Sequence, residues 1–224
     1  MAFLFEPVFL AFVLSLVHLF THFLAERVEK WHVQIISFGA GVFIVFMFLD
    51  LFPEALKTEY SYSFFLLGFV VFHSVEKYVY QHTNPKLLKE QVGSLDVLGF
   101  IVADVFKGIA LVFAYVVDPS LGFFIFIPLV LDKVSSATLF AHLLERFKHY
   151  KWLGFALSFS VLLGALFASF VSPSGVLFEA AFAMVVGTLL YIVVRDLIPH
   201  GRKGNLTYFL LGALFSYAIL ARVL

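Results

Sequence analysis

The sequence predicts an all-α membrane protein, because its composition is too apolar for a soluble domain and its apolar stretches are long enough to cross a bilayer. Hydrophobic residues make up 62% of the 224-residue chain, charged residues make up 13%, and the mean hydropathy is +1.01. Phe alone accounts for 31 residues. A soluble domain of this size cannot bury so large an apolar fraction. We therefore expect a multi-pass protein whose main partner is the lipid bilayer.

The same composition excludes several classes of function. The formal net charge is zero, which offers no basic surface for nucleic acid. The chain has no Cys, which excludes disulfides, thiolate metal sites and thiol catalysis. It carries neither a His-Glu-x-x-His motif nor a P-loop. Ser135 or Ser136 beside Asp132 is the nearest approach to a hydrolytic site, and we expect no enzymatic activity.

Eight apolar stretches can each span a hydrocarbon core of roughly 30 Å, which takes about 20 helical residues. Pro, Gly and polar clusters separate several of them, as in Asp118–Ser120 and Ser172–Gly175. The longest connection, Gln81–Asp96, is polar. The predicted transmembrane helices are Pro7–Ala25, Val33–Phe52, Ser61–Tyr80, Val97–Val117, Leu121–Leu144, Trp152–Val171, Val176–Val194 and Leu206–Leu224.

An internal repeat links the second and seventh of these helices. Gly41–Glu54 has a weaker copy in Gly187–His200, and in both the Asp and the Pro follow the Gly at the same distances. Helices two and seven are five crossings apart, so they run in opposite directions. The sequence thus predicts a single transmembrane domain, residues 1–224, in which helices 1–3 and 6–8 form an inverted 3+2+3 repeat around helices four and five. Repeats of this kind are typical of transporters.

Lys and Arg predict the orientation of the chain. Of the 15 Lys and Arg residues, only Lys57 and Arg222 fall on the side of the even-numbered loops and the termini, and Lys107 and Lys133 fall inside helices. The others lie on the opposite side, which the positive-inside rule makes cytoplasmic. We expect a protein of the cell membrane with both termini extracytoplasmic. A homodimer is one assembly that the sequence allows.

Helices four and five carry the residues that are most costly in a membrane. Asp104 and Lys107 are one turn apart on helix four, whereas Asp132 and Lys133 are adjacent on helix five, at similar depth. Charges at the bilayer centre cost roughly 2.5–3.5 kcal/mol each on insertion scales, so they pair or face water and are functional by default. We expect an Asp104–Lys107–Asp132 cluster. Its alternatives are a structural ion pair and a substrate or proton site.

Other polar residues extend the candidate site. Ser135 and Ser136 continue the polar face of Asp132 on helix five. His18 and His22 lie one helical turn apart on helix one, a spacing that can bind zinc when further ligands are supplied. Four residues at the two ends of the repeat helices are candidates for the mouths of a pathway: Asp50, Glu54, Asp196 and His200.

The repeat and the helix order resemble the ZIP family of metal-ion transporters. The resemblance is most specific in helix two, which ends in Leu51–Ala55 (Leu-Phe-Pro-Glu-Ala), and in helix seven, where Gly187–Tyr191 precedes Asp196–Pro199. It implies the family's eight helices and external termini. It also implies a divalent cation such as zinc as the transported substrate, with no tightly bound cofactor.

The residues at the family's metal site differ in this chain. The family's helix four usually reads His-Asn-x-x-Asp/Glu-Gly, whereas Ala103–Gly108 reads Ala-Asp-Val-Phe-Lys-Gly. Its helix five commonly reads His-Glu-x-Pro-His-Glu, whereas Leu131–Ser136 reads Leu-Asp-Lys-Val-Ser-Ser. Asp104 and Asp132 supply at most two acidic metal ligands. We therefore expect Lys107 to lie between them and to stand in for the family's cation.

Three functions follow from the sequence. The first is a ZIP-like carrier of divalent cations with a remodelled central site, in which the metal ligands would be Asp104, Asp132, His18 and His22. The second is a carrier of the same fold that couples to protons or moves another substrate. The third is a non-transporting relative that acts as a partner or sensor.

Overall fold

The computed structural model describes residues 2–82, 85–146, 151–171, 175–197 and 204–221. These ranges are helical apart from short turns and contain no β-strand, which confirms the all-α class. A short helix, Ala25–Glu29, lies between the first two main helices. The main helices in the described ranges are α1 (Ala2–Phe23), α2 (His32–Phe46), α3 (Glu59–His82), α4 (Pro85–Val117), α5 (Pro119–Arg146), α6 (Lys151–Ser169), α7 (Val176–Ile192) and α8 (Leu206–Leu220).

Several of these helices have the length and composition of membrane spans. The described part of the chain contains five such stretches, Phe5–Phe23, His32–Ala55, Gly99–Val117, Pro119–Thr138 and Val176–Arg195. They are compatible with a multi-pass membrane protein. Helices α6 and α8 are apolar over shorter stretches. The sequence-based arrangement of eight crossings therefore stays a prediction for α3, α6 and α8.

The polar connection Gln81–Asp96 is helical in its described residues. Helix α3 ends at His82, and α4 begins at Pro85 rather than near Val97. Pro is favoured in the first turn of a helix, because its fixed φ suits the helix and its missing N–H would have no intrahelical partner there. Helix α4 therefore begins well before its apolar segment.

Helices α2 and α7 both end in a π-helical turn. The turns are Met47–Leu51, which leads into the short helix Phe52–Ala55, and Val193–Leu197. π-Helical turns are rare and frequently lie at functional sites. These two occupy the same position in the two copies of the sequence repeat, and they contain Asp50 and Asp196.

Glycines bring three pairs of helices into close contact: α2 with α8, α3 with α7, and α4 with α6. A Cβ atom added to any of them would overlap a backbone carbonyl of the partner helix. Small residues allow such close approach of helices in membranes. The glycines of the three pairs are Gly41 and Gly212, Gly68 and Gly187, and Gly108 and Gly164.

The first two of these pairs run in the same direction. The Asn205 backbone N–H near the start of α8 donates to Ser37 Oγ near the start of α2 (3.0 Å), and Phe46 and Leu220 at their far ends line one crevice. Helix α3 likewise follows α7 from end to end. Its Tyr60 hydroxyl donates to Glu179 at one end, and contacts with Tyr191 lie near the other.

We predict that Gly187→Ala destabilises the protein, whereas Gly99→Ala does not. The new methyl at position 187 would overlap the backbone of Phe65, and backbone cannot rotate away as a flexible side chain can. Overpacking of this kind costs about 1–3 kcal/mol. Position 99 has no heavy atom within 4 Å of an added Cβ. Thermal unfolding of both variants in detergent should give a lower Tm for Gly187→Ala alone, and equal Tm values would contradict the close contact.

Candidate functional site

Four ionisable side chains from α4 and α5 meet inside the helix bundle. The two helices are antiparallel neighbours, so Asp104 and Lys107 of α4 face Lys133 and Asp132 of α5. Lys107 Nζ lies 3.3 Å from Asp104 Oδ1 and 2.6 Å from Asp132 Oδ2. The Lys133 ammonium makes an ion pair with Asp104 Oδ2. We call Asp104, Lys107, Asp132 and Lys133 the quartet.

Mutual neutralisation makes the burial of the quartet tolerable. Each of its residues is at most 4% exposed. An isolated charge at such a position would lose its hydration without compensation, whereas paired and hydrogen-bonded charges recover much of that loss. Two carboxylates and two ammonium groups leave the quartet with no formal net charge. The arrangement favours the bound ammonium groups over an added cation.

The quartet is larger than the cluster expected from the sequence. The predicted cluster had three members, with Lys133 as a further candidate site residue, and the structure brings Lys133 to Asp104 as a direct partner. It also adds Ser160 of α6, whose hydroxyl donates to Asp104 Oδ2 at 3.1 Å and is fully buried. The sequence did not indicate this role, because nothing distinguishes Ser160 from Ser158 in the same apolar helix. Asp104 is therefore held from three helices.

The two other predicted site residues of α5 lie on one side of the quartet. Ser136 Oγ donates to the Lys133 carbonyl (3.2 Å) and lies 3.5 Å from His18 Nδ1 of α1. Ser135 is buried, and its carbonyl accepts a hydrogen bond from the Thr138 hydroxyl at 2.7 Å. His18 is only 2% exposed, and its environment includes the charges of Lys133 and Asp104.

The proposed metal ligands do not come together in the described residues. No group of three or more His, Asp or Glu side chains with metal-binding geometry occurs there. Asp104 and Asp132 are joined through Lys107, and His18 interacts with Ser136 instead. Tetrahedral zinc sites need three or four protein ligands. A divalent cation could enter the quartet only if an ammonium group left it.

One end of the bundle is rich in acidic residues. Asp50 interacts electrostatically with Asp118 and Glu54, and the Tyr115 hydroxyl donates to Glu6. We call this the acidic end. The opposite end carries Arg27, Lys30, Lys77 and Arg195, and we call it the basic end. Of the predicted pathway mouths, Asp50 and Glu54 thus lie together at the acidic end, whereas the Asp196 side chain and His200 lie outside the described residues.

Asp118 precedes the first turn of α5 and caps it. The Ser120 hydroxyl and the Ser120 backbone N–H both donate to Asp118 Oδ1, the latter at 2.7 Å. Both hydrogen bonds stabilise the charged form and lower the pKa of Asp118 below its usual range. The residue therefore contributes a fixed negative charge at the acidic end.

Near the basic end, a second polar network joins α3 to α7. The Tyr191 hydroxyl donates to Glu76 Oε2 (2.7 Å) and lies 3.2 Å from His73 Nδ1. Arg195 also donates to Glu76 (2.7 Å), and its guanidinium lies 6.0 Å from the Phe100 ring centroid. The spacing of Tyr191 and Arg195, one helical turn apart, was a sequence signal that could have predicted this network.

Comparison with protein-family models gives no match for this chain, and comparison with curated protein sequences gives none. The class of this protein is therefore defined by its fold and its site. In the part that the structure describes, the chain is all-helical and compatible with several membrane crossings, and it encloses a buried, charge-neutral cluster of two Asp and two Lys residues.

We predict strong coupling between Lys107 and Asp132. Lys107→Met or Asp132→Leu alone should lower the free energy of unfolding by about 3–5 kcal/mol, because each leaves an uncompensated buried charge. The double variant should be more stable than either single variant, because it removes one complete ion pair and leaves Asp104 with Lys133. Unfolding curves of the four proteins in detergent measure this. Additive losses would contradict the coupling.

Proposed function

We propose that this chain is a carrier of the cell membrane, similar in architecture to ZIP transporters, with eight crossings and an inverted 3+2+3 repeat. Its cargo would be a divalent cation such as zinc. In the cargo-free state Lys107 would occupy the central cation position. The observation that carries the proposal is the location of Lys107 Nζ between Asp104 and Asp132, 3.3 and 2.6 Å from their carboxylate oxygens.

Packing supports eight crossings. Helices α3 and α8 do not meet the length and composition criteria for a span, but each lies alongside and parallel to a helix that does. Helix α6 packs closely along α4 through Gly108 and Gly164. A helix that follows a membrane span along its length traverses the same layer. With the excess of Lys and Arg on one side, both termini would be extracytoplasmic.

The glycine contacts also support the inverted repeat. The repeat makes Gly41 equivalent to Gly187. The matching segments Phe65–Gly68 and Phe209–Gly212, both Phe-Leu-Leu-Gly, make Gly68 equivalent to Gly212. Exchange of the two halves therefore converts the α2–α8 contact of Gly41 with Gly212 into the α7–α3 contact of Gly187 with Gly68. The matching π-helical turns of α2 and α7 obey the same exchange.

A lysine at the central site has a physical rationale in a carrier. A carrier must change conformation without cargo as well as with it, and two buried, unneutralised carboxylates would oppose that step. The ammonium groups of Lys107 and Lys133 neutralise them from within the protein. Cargo could then bind by displacing Lys107 from Asp104 and Asp132, so that the cation and the ammonium group compete for the same oxygen atoms.

We predict that divalent metal binding increases from the parent to Lys107→Ala and again to Lys107→Glu. The first change vacates the position between the carboxylates, and the second adds a carboxylate to it. Calorimetric titration of the purified proteins with zinc measures the affinity. Zinc should also raise the Tm of Lys107→Ala, because a ligand that binds only the folded state stabilises it.

Lys30→Glu is the matched control, since it makes the same charge change at an exposed position. It should bind zinc as the parent does. If neither Lys107 variant binds zinc more tightly than the parent, the proposed exchange of lysine for metal is wrong.

A second candidate is a proton-coupled carrier, or a carrier of another substrate, of the same fold. The neutrality of the quartet favours it, because neutral clusters do not attract a divalent cation. Proteoliposomes separate the candidates: zinc uptake from a panel of ions supports the first, and a proton flux without metal supports the second. If neither flux occurs, a carrier of another substrate and a non-transporting partner or sensor are the functions that stay open.

A further inference from the structure

Polar side chains extend from the quartet toward the basic end. Ser136 bridges the Lys133 carbonyl and His18, and His22 lies one turn beyond His18 on α1. Lys133 and His18 are almost completely buried, whereas Ser136 and His22 are partly exposed.

A second branch starts on the same side of the quartet. The Thr138 hydroxyl donates to the Ser135 carbonyl, and Thr138 Oγ1 lies 2.7 Å from His32 Nδ1 at the start of α2. His32 is partly exposed. Helices α1, α2 and α5 therefore all contribute hydroxyl or imidazole groups between the quartet and the basic end.

The opposite side of the quartet is apolar. Helix α4 continues from Gly108 through an unbroken series of buried residues to Tyr115, and α5 carries buried Ile125 and Leu129 before it reaches Asp132. Phe43 and Phe46 of α2 and Phe178 and Phe182 of α7 belong to the same hydrophobic core as these residues. This packing separates the quartet from Asp50 and the acidic end.

We propose that the polar residues His18, His22, Ser136, Thr138 and His32 line a hydrated access path from the basic end to the quartet. The path would admit water and small hydrophilic cations, and the apolar packing would close the site toward the acidic end. The existence of the path does not depend on the proposed function, but its role as the route of the cargo does. Hydroxyl and imidazole groups in a membrane protein usually lie where they have polar partners. Along a hydrated path, water molecules are such partners.

Thiol accessibility tests the path, because the chain has no Cys of its own. Ser136→Cys reports on the path, and Ser216→Cys is its matched control. The control makes the same exchange at a buried residue that lines the crevice between α2, α5 and α8. Lys30→Cys and Lys57→Cys mark the basic and acidic ends and fix the orientation of the protein in liposomes. The probe is a small, cationic, membrane-impermeant methanethiosulfonate.

We expect Ser136→Cys to react from the basic end only, at least about tenfold faster than Ser216→Cys, whose reaction would need local opening of packed helices. His22→Cys should react faster still from the same end, and it serves as the reporter if Ser136→Cys does not fold. Protection of both path cysteines from the basic end, or reaction of either from the acidic end, would overturn the proposal. Labelling from the basic end without zinc or proton flux would retain the path and contradict the transport of zinc or protons.

Discussion

The neutralisation of Asp104 and Asp132 by Lys107 and Lys133 is the interaction on which the rest of the structure depends. All four residues are almost completely buried. None can leave the cluster without exposing a partner to an apolar environment, so the pairing fixes the register of α4 against α5. Ser160 extends the same constraint to α6 through its hydrogen bond to Asp104. The register of three helices thus follows from one charge-balanced cluster.

The glycine contacts supply a different kind of constraint. Three helix pairs approach so closely that a methyl group would collide with the backbone of the partner. Two of these pairs, α2 with α8 and α3 with α7, lie outside the quartet. The bundle therefore combines a polar centre, held by charge, with a surrounding frame that is held by close backbone packing. Its surface exposes many large apolar side chains, among them Phe167, Phe170 and Leu177, as a protein in contact with lipid would.

Much of the helix pattern could be predicted from apolar stretches, because hydropathy alone sets the length and order of such helices. The start of α4 at Pro85 could not, since its first turns are polar and gave no apolar signal. At the site, the spacing of Asp104 and Lys107 predicted a shared helix face. The role of Lys133 was not predictable in the same way, because it follows Asp132 directly and adjacent residues on a helix point in different directions. Only the packing of α4 on α5 brings Asp132 and Lys133 into contact with the charged residues of α4.

The difference between the polar and the apolar side of the quartet could not be predicted from the sequence either. Hydrophobic runs do not reveal that hydroxyl and imidazole groups of α1, α2 and α5 gather on one side of the quartet while aromatic residues of α2 and α7 fill the other. The Tyr191–Glu76–Arg195 network near the basic end depends likewise on the pairing of α3 with α7. Contacts between helices far apart in the chain decide both features.

The protonation of the two aspartates tests the central claim most directly. Infrared spectroscopy of the protein in lipid bilayers, with isotope-labelled aspartate and with Asp104→Asn and Asp132→Asn for assignment, resolves ionised from protonated carboxyl groups. A cluster of two carboxylates and two ammonium groups predicts that both residues absorb as carboxylates at neutral pH. A protonated-carboxyl band that disappears in either variant would contradict it.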